Sequence, residues 1–261
     1  MRRMMALVAV GGLLLLIFGA AAGCLNREEK PREEGIQLLT ALTAPMEVPG
    51  DLAWDGEALW VVDIAGEYIY RVSPVDGRVL SQVRLPGLGV LALGVTWDGE
   101  ALWAVLPLDG RLYRLDPRDG RVLAQVPLPG REDADPRALA WDGRTLWLLD
   151  GAELVQIAPQ DGRVLRRLAV PTDDPQGLAW DGDGNGDGER FWMIARAGGR
   201  LERLALAGSD GSLLVEAAWP LPPPITAPAG LVGIPGEFWL SDEGSGALFR
   251  LRLPPSGKTF P

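Results

Sequence analysis

The chain has 261 residues, 47% hydrophobic and 23% charged, with 34 Gly, 22 Pro, ten Trp, one Cys and no His, and a net charge of −10. Plentiful large apolar residues beside so much Gly and Pro argue for a sizeable core and against disorder or a helical bundle. The missing His excludes a His-based triad, His acid–base chemistry and a His metal site, the lone Cys excludes an internal disulfide, and the acidity disfavours a nucleic-acid partner.

At the N-terminus, Met1-Arg2-Arg3 supplies positive charge and residues 4–22 are almost wholly apolar around Leu13-Leu14-Leu15-Leu16-Ile17-Phe18. Ala21-Ala22-Gly23-Cys24 follows, which is the order of a secretory signal peptide. A permanent membrane-spanning helix is one alternative, since the run is about long enough for a bilayer; a buried core Cys is another. The only Cys, placed after three small residues, resembles a bacterial lipobox with Ala21 where Leu is usual. That resemblance implies a signal peptide over 1–23 and a mature protein that begins at lipidated Cys24. The body is then expected in the cell envelope, held to a membrane by acyl chains. Leu25 in place of Asp points to the outer membrane where there is one, and otherwise the outer face of the cytoplasmic membrane. Residues 24–35 comprise this Cys and a charged, structure-poor tether.

From residue 36 onward one unit repeats. Leu52-Ala53-Trp54-Asp55-Gly56-Glu57-Ala58-Leu59-Trp60 returns as Val95-Thr96-Trp97-Asp98-Gly99-Glu100-Ala101-Leu102-Trp103 and as Leu139-Ala140-Trp141-Asp142-Gly143-Arg144-Thr145-Leu146-Trp147. A fourth copy holds Leu178-Ala179-Trp180-Asp181-Gly182 with Phe191-Trp192 later, and a worn fifth holds Gly230-Leu231-Val232-Gly233 with Glu237-Phe238-Trp239. A spacing near 40 residues is that of propeller blades. Each unit predicts four strands: one through Leu-Ala-Trp to an Asp-Gly turn, one through Leu-Trp, a third such as Tyr68-Ile69-Tyr70-Arg71-Val72, and a fourth such as Val79-Leu80-Ser81-Gln82-Val83. The fifth copy has three strands, and its missing fourth is matched by Ile36-Gln37-Leu38-Leu39-Thr40-Ala41-Leu42. The expected fold is an all-β, five-bladed β-propeller over 36–261, closed by its own N-terminal strand. Six blades would require a degenerate one within 221–228.

The Trp-Asp-Gly…Leu-Trp and Ile-Tyr-Arg-Val-Ser-Pro-Val-Asp-Gly-Arg-Val-Leu patterns resemble the NHL, gluconolactonase-like and glutaminyl-cyclase-like repeat propellers of bacterial envelopes, over roughly 36–258. The resemblance implies a fold and leaves activity to individual sites. Lactonases of this kind use Glu, Asn and Asp around a channel metal, and Asn26 and Asn185 are not placed to reach an axis. The cyclases use a channel Glu and a Lys, whereas Lys30 falls in the tether and Lys258 in the last turn. Streptogramin-lyase-like propellers need a His. The expected function is therefore non-catalytic: a monomeric lipoprotein whose propeller binds an envelope protein, peptide or glycan. The alternative is an enzyme of the glutaminyl-peptide cyclotransferase or lactonase type.

Two constellations are candidate sites. In the fourth copy the short turn is replaced by Asp181-Gly182-Asp183-Gly184-Asn185-Gly186-Asp187-Gly188-Glu189. Oxygen side chains alternating with Gly suit a hard cation such as Ca²⁺. The order is similar to the hairpin calcium loops of integrin-type propellers, which implies ligands at Asp181, Asp183, Asn185, Asp187 (through its carbonyl) and Glu189 and a structural ion; a mobile acidic hairpin is the alternative. The second constellation lies on the opposite face, where propeller topology gathers Asp51, Asp63, Arg131, Asp133, Asp135, Arg137, Asp150, Asp173, Asp174, Gln176, Asp242 and Glu243. Of these Asp63, Asp135, Arg137, Asp150, Asp174, Gln176 and Asp242 are candidate ligand-binding residues, a carboxylate ring suited to a polar or cationic ligand. Asp63, Asp150 and Asp242 each lie three residues past a second-strand Trp and can equally cap turns. The regularly spaced Trp and the Asp-Gly pairs read as blade packing and turn chemistry.

Overall fold

A computed structural model describes residues 35–87, 92–128, 134–181, 190–207 and 211–254. The lipobox, most of the calcium-like loop, Arg131 and Asp133 lie outside the described residues. Among the described residues no helix is long and apolar enough to cross a membrane.

Twenty strands form five four-stranded antiparallel sheets. Blade one holds β2 (Pro49–Trp54), β3 (Leu59–Asp63), β4 (Tyr68–Val72) and β5 (Val79–Arg84). Blade two holds β6 (Gly94–Trp97), β7 (Leu102–Leu106), β8 (Arg111–Leu115) and β9 (Val122–Pro127). Blade three holds β10 (Pro136–Trp141), β11 (Leu146–Asp150), β12 (Glu153–Ile157) and β13 (Val164–Ala169), and blade four β14 (Pro175–Trp180), β15 (Arg190–Ala195), β16 (Arg200–Ala207) and β17 (Ser212–Pro220). Blade five combines β18 (Pro228–Ile234), β19 (Glu237–Asp242) and β20 (Ala247–Arg252) with the N-terminal β1 (Gln37–Thr43). Strands β2, β6, β10, β14 and β18 touch one another in a closed circle, so the first strand of each blade lines the axis. This is the five-bladed propeller expected from the repeat. Residues 221–227 form turns and no further blade.

Each interface between blades carries one apolar cluster, five in all, and these are the core. The second strands are buried on both faces: Leu59, Val61 and Val62 are 0% exposed and Trp60 1%. Side chains alternate between the two neighbouring interfaces, Trp60 and Val62 to one and Leu59 and Val61 to the other. A blade flanked on both sides therefore needs a continuous apolar run where a sheet with one wet face would alternate with polar residues. At the rim the blades splay, and Val79, Leu80, Val122, Leu123 and Leu165 on the fourth strands stand exposed.

Candidate functional site

The axis narrows to a waist at the residue before each Leu-Ala-Trp motif. In blades two to five that residue is Gly94, Ala138, Gly177 or Gly230; in blade one it is Asp51. The small residues are sterically required, because the inner strands approach closely. A Cβ on Gly230 would fall 2.5 Å from the Gly50 carbonyl oxygen, and one on Gly94 would lie 3.0 Å from the Ala138 carbonyl carbon. The register slips just before the motif, between Pro49 and Leu52 in β2 and likewise in β10, β14 and β18. Such a bulge turns the local strand and re-aims a side chain.

The Asp51 carboxyl occupies this waist, 2% exposed. Its Oδ2 accepts the Val95 amide of blade two at 3.0 Å and the Leu139 amide of blade three at 3.1 Å. Among the described residues its Oδ1 is buried without a hydrogen-bond partner. Burial pushes the Asp51 pKa up to about 8, against the opposing pull of the Val95 and Leu139 amides on Oδ2 and of the nearby Leu52 and Leu231 amides, which make no hydrogen bond to Oδ1. Asp51 therefore stands largely protonated at neutral pH. With Oδ2 committed to two N–H donors, the proton belongs on Oδ1. Next to it Ser241 Oγ is fully buried, donating to the Gly50 carbonyl at 2.7 Å and accepting the Gly230 amide at 2.8 Å, which ties blade five to blade one.

Above the waist opens a cavity of about 250 Å³ whose lining includes Asp51, Ile64, Asp135, Arg137, Gln176 and Glu243. Arg137 spans its side: Nε and Nη2 reach Asp135 Oδ2 at 2.9 and 2.7 Å, and Nη1 reaches Asp174 Oδ1 at 2.8 Å and the Pro175 carbonyl at 3.0 Å. Burial opposes the guanidinium charge, but the two carboxylates outweigh it and hold Arg137 above its ordinary pKa. Gln176 Nε2 adds a 3.3 Å bond to Asp174, whose backbone sits in the left-handed region at φ 48°. Glu243 pairs with Arg196 at 2.8 Å.

The structure thus brings Asp135, Arg137, Asp174 and Gln176 together at the mouth. The other three candidates bind backbone. Asp150 Oδ1 accepts the Asp135 amide at 2.6 Å, and Asp242, 0% exposed, accepts the Thr226, Ala227 and Ser245 amides at 2.7–2.8 Å. Asp63 accepts the Ala65 amide at 3.1 Å, and burial, with the nearby Glu47 charge, raises its pKa. Asp51 itself was visible in the sequence only as one member of the crowded face. The signal that singles it out is the break in Gly, Ala, Gly, Gly at the aligned position.

On the opposite face a second well, about 150 Å³, is ringed by the inner-strand Trp54, Trp97, Trp141 and Trp180, with Gly233 in the fifth place. These four rings pack inward against the interface clusters and are only partly exposed; Trp180 meets Phe191 edge-on at 5.0 Å. Of the calcium-like loop only Asp181 is described. Its Oδ2 accepts the Trp192 indole N–H at 2.8 Å, the bond the turn Asp makes in blades one to three. Among the described residues no group of three or more carboxylates is placed to hold a metal ion.

No family model matches the chain, and no curated protein does. Solved structures do. The glutaminyl cyclase of Myxococcus xanthus superposes with a TM-score of 0.66 at 14% identity, covering 84% of this chain and 96% of that one. The Cps50 (Swd1) β-propeller domain of Myceliophteria thermophila gives 0.52 at 11%, covering 79% and 83%. A streptogramin B lyase gives 0.47 at 19%, covering 79% and 65%. At these identities the likeness to the first two establishes the β-propeller architecture alone.

Proposed function

We propose that this chain is an exported, lipid-anchored binding protein whose propeller takes a small polar ligand bearing a cationic group at the channel mouth. The observation that carries the reading is Arg137 held between Asp135 and Asp174 over the cavity floored by Asp51. The two carboxylates consume the guanidinium charge, and Glu243 is matched by Arg196. Among the described residues the mouth is left with one formal negative charge in excess, so it attracts a cation and repels an anion. Positioning polar groups in a concave, half-buried pocket of this size suits a small molecule or the end of a peptide. The export and anchor rest on the signal-like segment and Cys24, checked by loss of lipid labelling in Cys24→Ser. The structural calcium ion rests on the loop from Asp181 to Glu189, checked by a calcium-dependent rise in melting temperature.

One observation favours the enzyme reading: Asp51, an acid that titrates near neutrality in a cavity, has the property a general acid–base needs. A glutaminyl-peptide cyclotransferase is then the reaction to test, since the Myxococcus xanthus protein of that name shares the fold. Purified residues 35–261 incubated with glutaminyl peptides should release no pyroglutamyl product. Titration with small ammonium ions should show saturable binding that Asp174→Ala weakens about tenfold or more. Turnover abolished by Asp51→Asn would replace the binding reading with the enzymatic one.

A further inference from the structure

The waist carries an acid that the ring does not need. Four of its five positions are Gly or Ala, and the fifth buries a carboxyl with one oxygen paired to two amides and the other with no hydrogen-bond partner among the described residues. A buried polar atom left unpaired costs on the order of 1–3 kcal/mol, and a small residue in place of Asp51 would avoid it. Asp51 floors the cavity at the mouth, so what completes its hydrogen bonding can come from there.

We propose that Asp51 couples ligand uptake to proton release: an ammonium group entering the mouth displaces the proton on Asp51 and donates its own N–H to Oδ1. The inference deepens the binding reading above and rests on it. The exchange balances, since one proton leaves Oδ1 for solvent as one cationic N–H donor arrives, and the buried carboxylate becomes an ion pair instead of an isolated charge. Among the described residues the other charged groups facing this volume are Asp135 and Arg137 ahead of and on β10, Asp174 just before β14, and Glu243 with Arg196 beyond β19 and β15. Among the described residues each of these is held in an ion pair, Asp135 and Asp174 sharing Arg137, and Asp51 is not. The residues of β6, β10 and β18 that meet Asp51 are Val95, Leu139, Gly230 and Leu231, none of them charged. Among the described residues Asp51 is thus the one group there able to exchange its proton with a ligand. Its pKa, raised by burial to about 8, leaves that proton in place at pH 7.

The test uses the soluble chain from residue 35 and n-butylammonium, with tetramethylammonium as an equally charged probe without N–H. Calorimetry in buffers of different ionisation enthalpy should record release of about one proton per n-butylammonium bound at pH 7. Affinity should rise about tenfold per pH unit below about 8 and level off above it. Tetramethylammonium should bind at least about tenfold more weakly. Asp51→Asn keeps an oxygen for the Val95 and Leu139 amides and so keeps the fold, shown by its melting curve, while it should lose the proton release and about tenfold or more in affinity. Binding that is independent of pH and unchanged in Asp51→Asn overturns the coupling and leaves the mouth as the binding site. No saturable binding of either ion overturns the site reading and the coupling together.

Discussion

Asp51 combines three features at residue scale: almost complete burial, amide donors from two other blades and an acid form favoured at neutral pH. Linkage turns them into a stability statement. Unfolded, the carboxyl titrates near 3.8; folded, near 8. A folded pKa raised above the unfolded one means that the native state loses stability as pH rises between the two values, by roughly 1.4 kcal/mol per unit, and is flat beyond them. Asp51→Asn copies the protonated acid at every pH. The variant and the parent should therefore melt together near pH 4, and the variant should melt higher by on the order of 10 °C at pH 8. Parallel melting curves across that range would place the Asp51 pKa near its ordinary value. Nothing in the local sequence announces this residue, because its environment is made by strands 44 and 88 positions away. Only the alignment of five repeats exposes it, through the break in a column of Gly and Ala.

The Asp-Gly hairpin is the repeating device at the scale of the element, and it was legible in the sequence. Gly supplies the positive φ of the turn, as at Gly56 (97°), and Asp does the rest. Asp98 accepts the Glu100 and Ala101 amides at 3.0 and 2.8 Å, the Trp103 indole at 2.9 Å and Arg114 Nε at 2.6 Å, and Asp55 repeats the set in blade one. The hairpin thus locks the third strand and the core Trp to one carboxylate. Blade five has Ile234 in the Asp place, and there the Trp239 indole N–H is buried with no partner among the described residues. Asp98→Ala should cost about 2–4 kcal/mol in urea unfolding at pH 7, since it strands both a buried indole and a half-buried guanidinium. Burial raises the Asp98 pKa, but Arg114 and the turn amides outweigh it and lower the value overall. The stabilisation is then present above the unfolded pKa and fades as pH falls through the folded one, so the gap between variant and parent should narrow near pH 3. A gap below about 0.5 kcal/mol at pH 7 would make the network an ornament of the turn. Sequence could place such hairpins, yet it could not decide between cap and ligand for Asp63, Asp150 and Asp242, because their partners are backbone amides whose positions depend on loop paths.

For the whole molecule the question is what keeps a ring of five separate sheets shut. Each blade interface is an apolar cluster, and four of the five are bridged by chain running directly from one blade to the next. The fifth blade instead borrows β1, paired to β20 from Gln37 opposite Arg252 to Thr43 opposite Ala247, with Ile36 buried in the cluster shared by blades four and five. The chain then continues through Ala44 and Met46, buried between blades five and one, and Ser241 adds a hydrogen-bonded bridge at the axis. The pairing spans residues more than 200 positions apart, so its loop-closure cost falls on the last contact to form. Two truncations separate the strand from what precedes it. A chain starting at residue 35 should melt within a few degrees of one starting at 25, because only residues ahead of β1 are lost. A chain starting at residue 45 should melt far lower or aggregate, since it leaves the edge of β20 unpaired and opens two apolar interfaces. A synthetic peptide of residues 35–46 added to it should restore the melting temperature in a concentration-dependent way, as a bound strand stabilises by mass action. If the chain from residue 45 melts with the longer ones, the ring is held by its interfaces alone and β1 is a passenger. Failure of both shorter chains would instead place essential contacts ahead of residue 35.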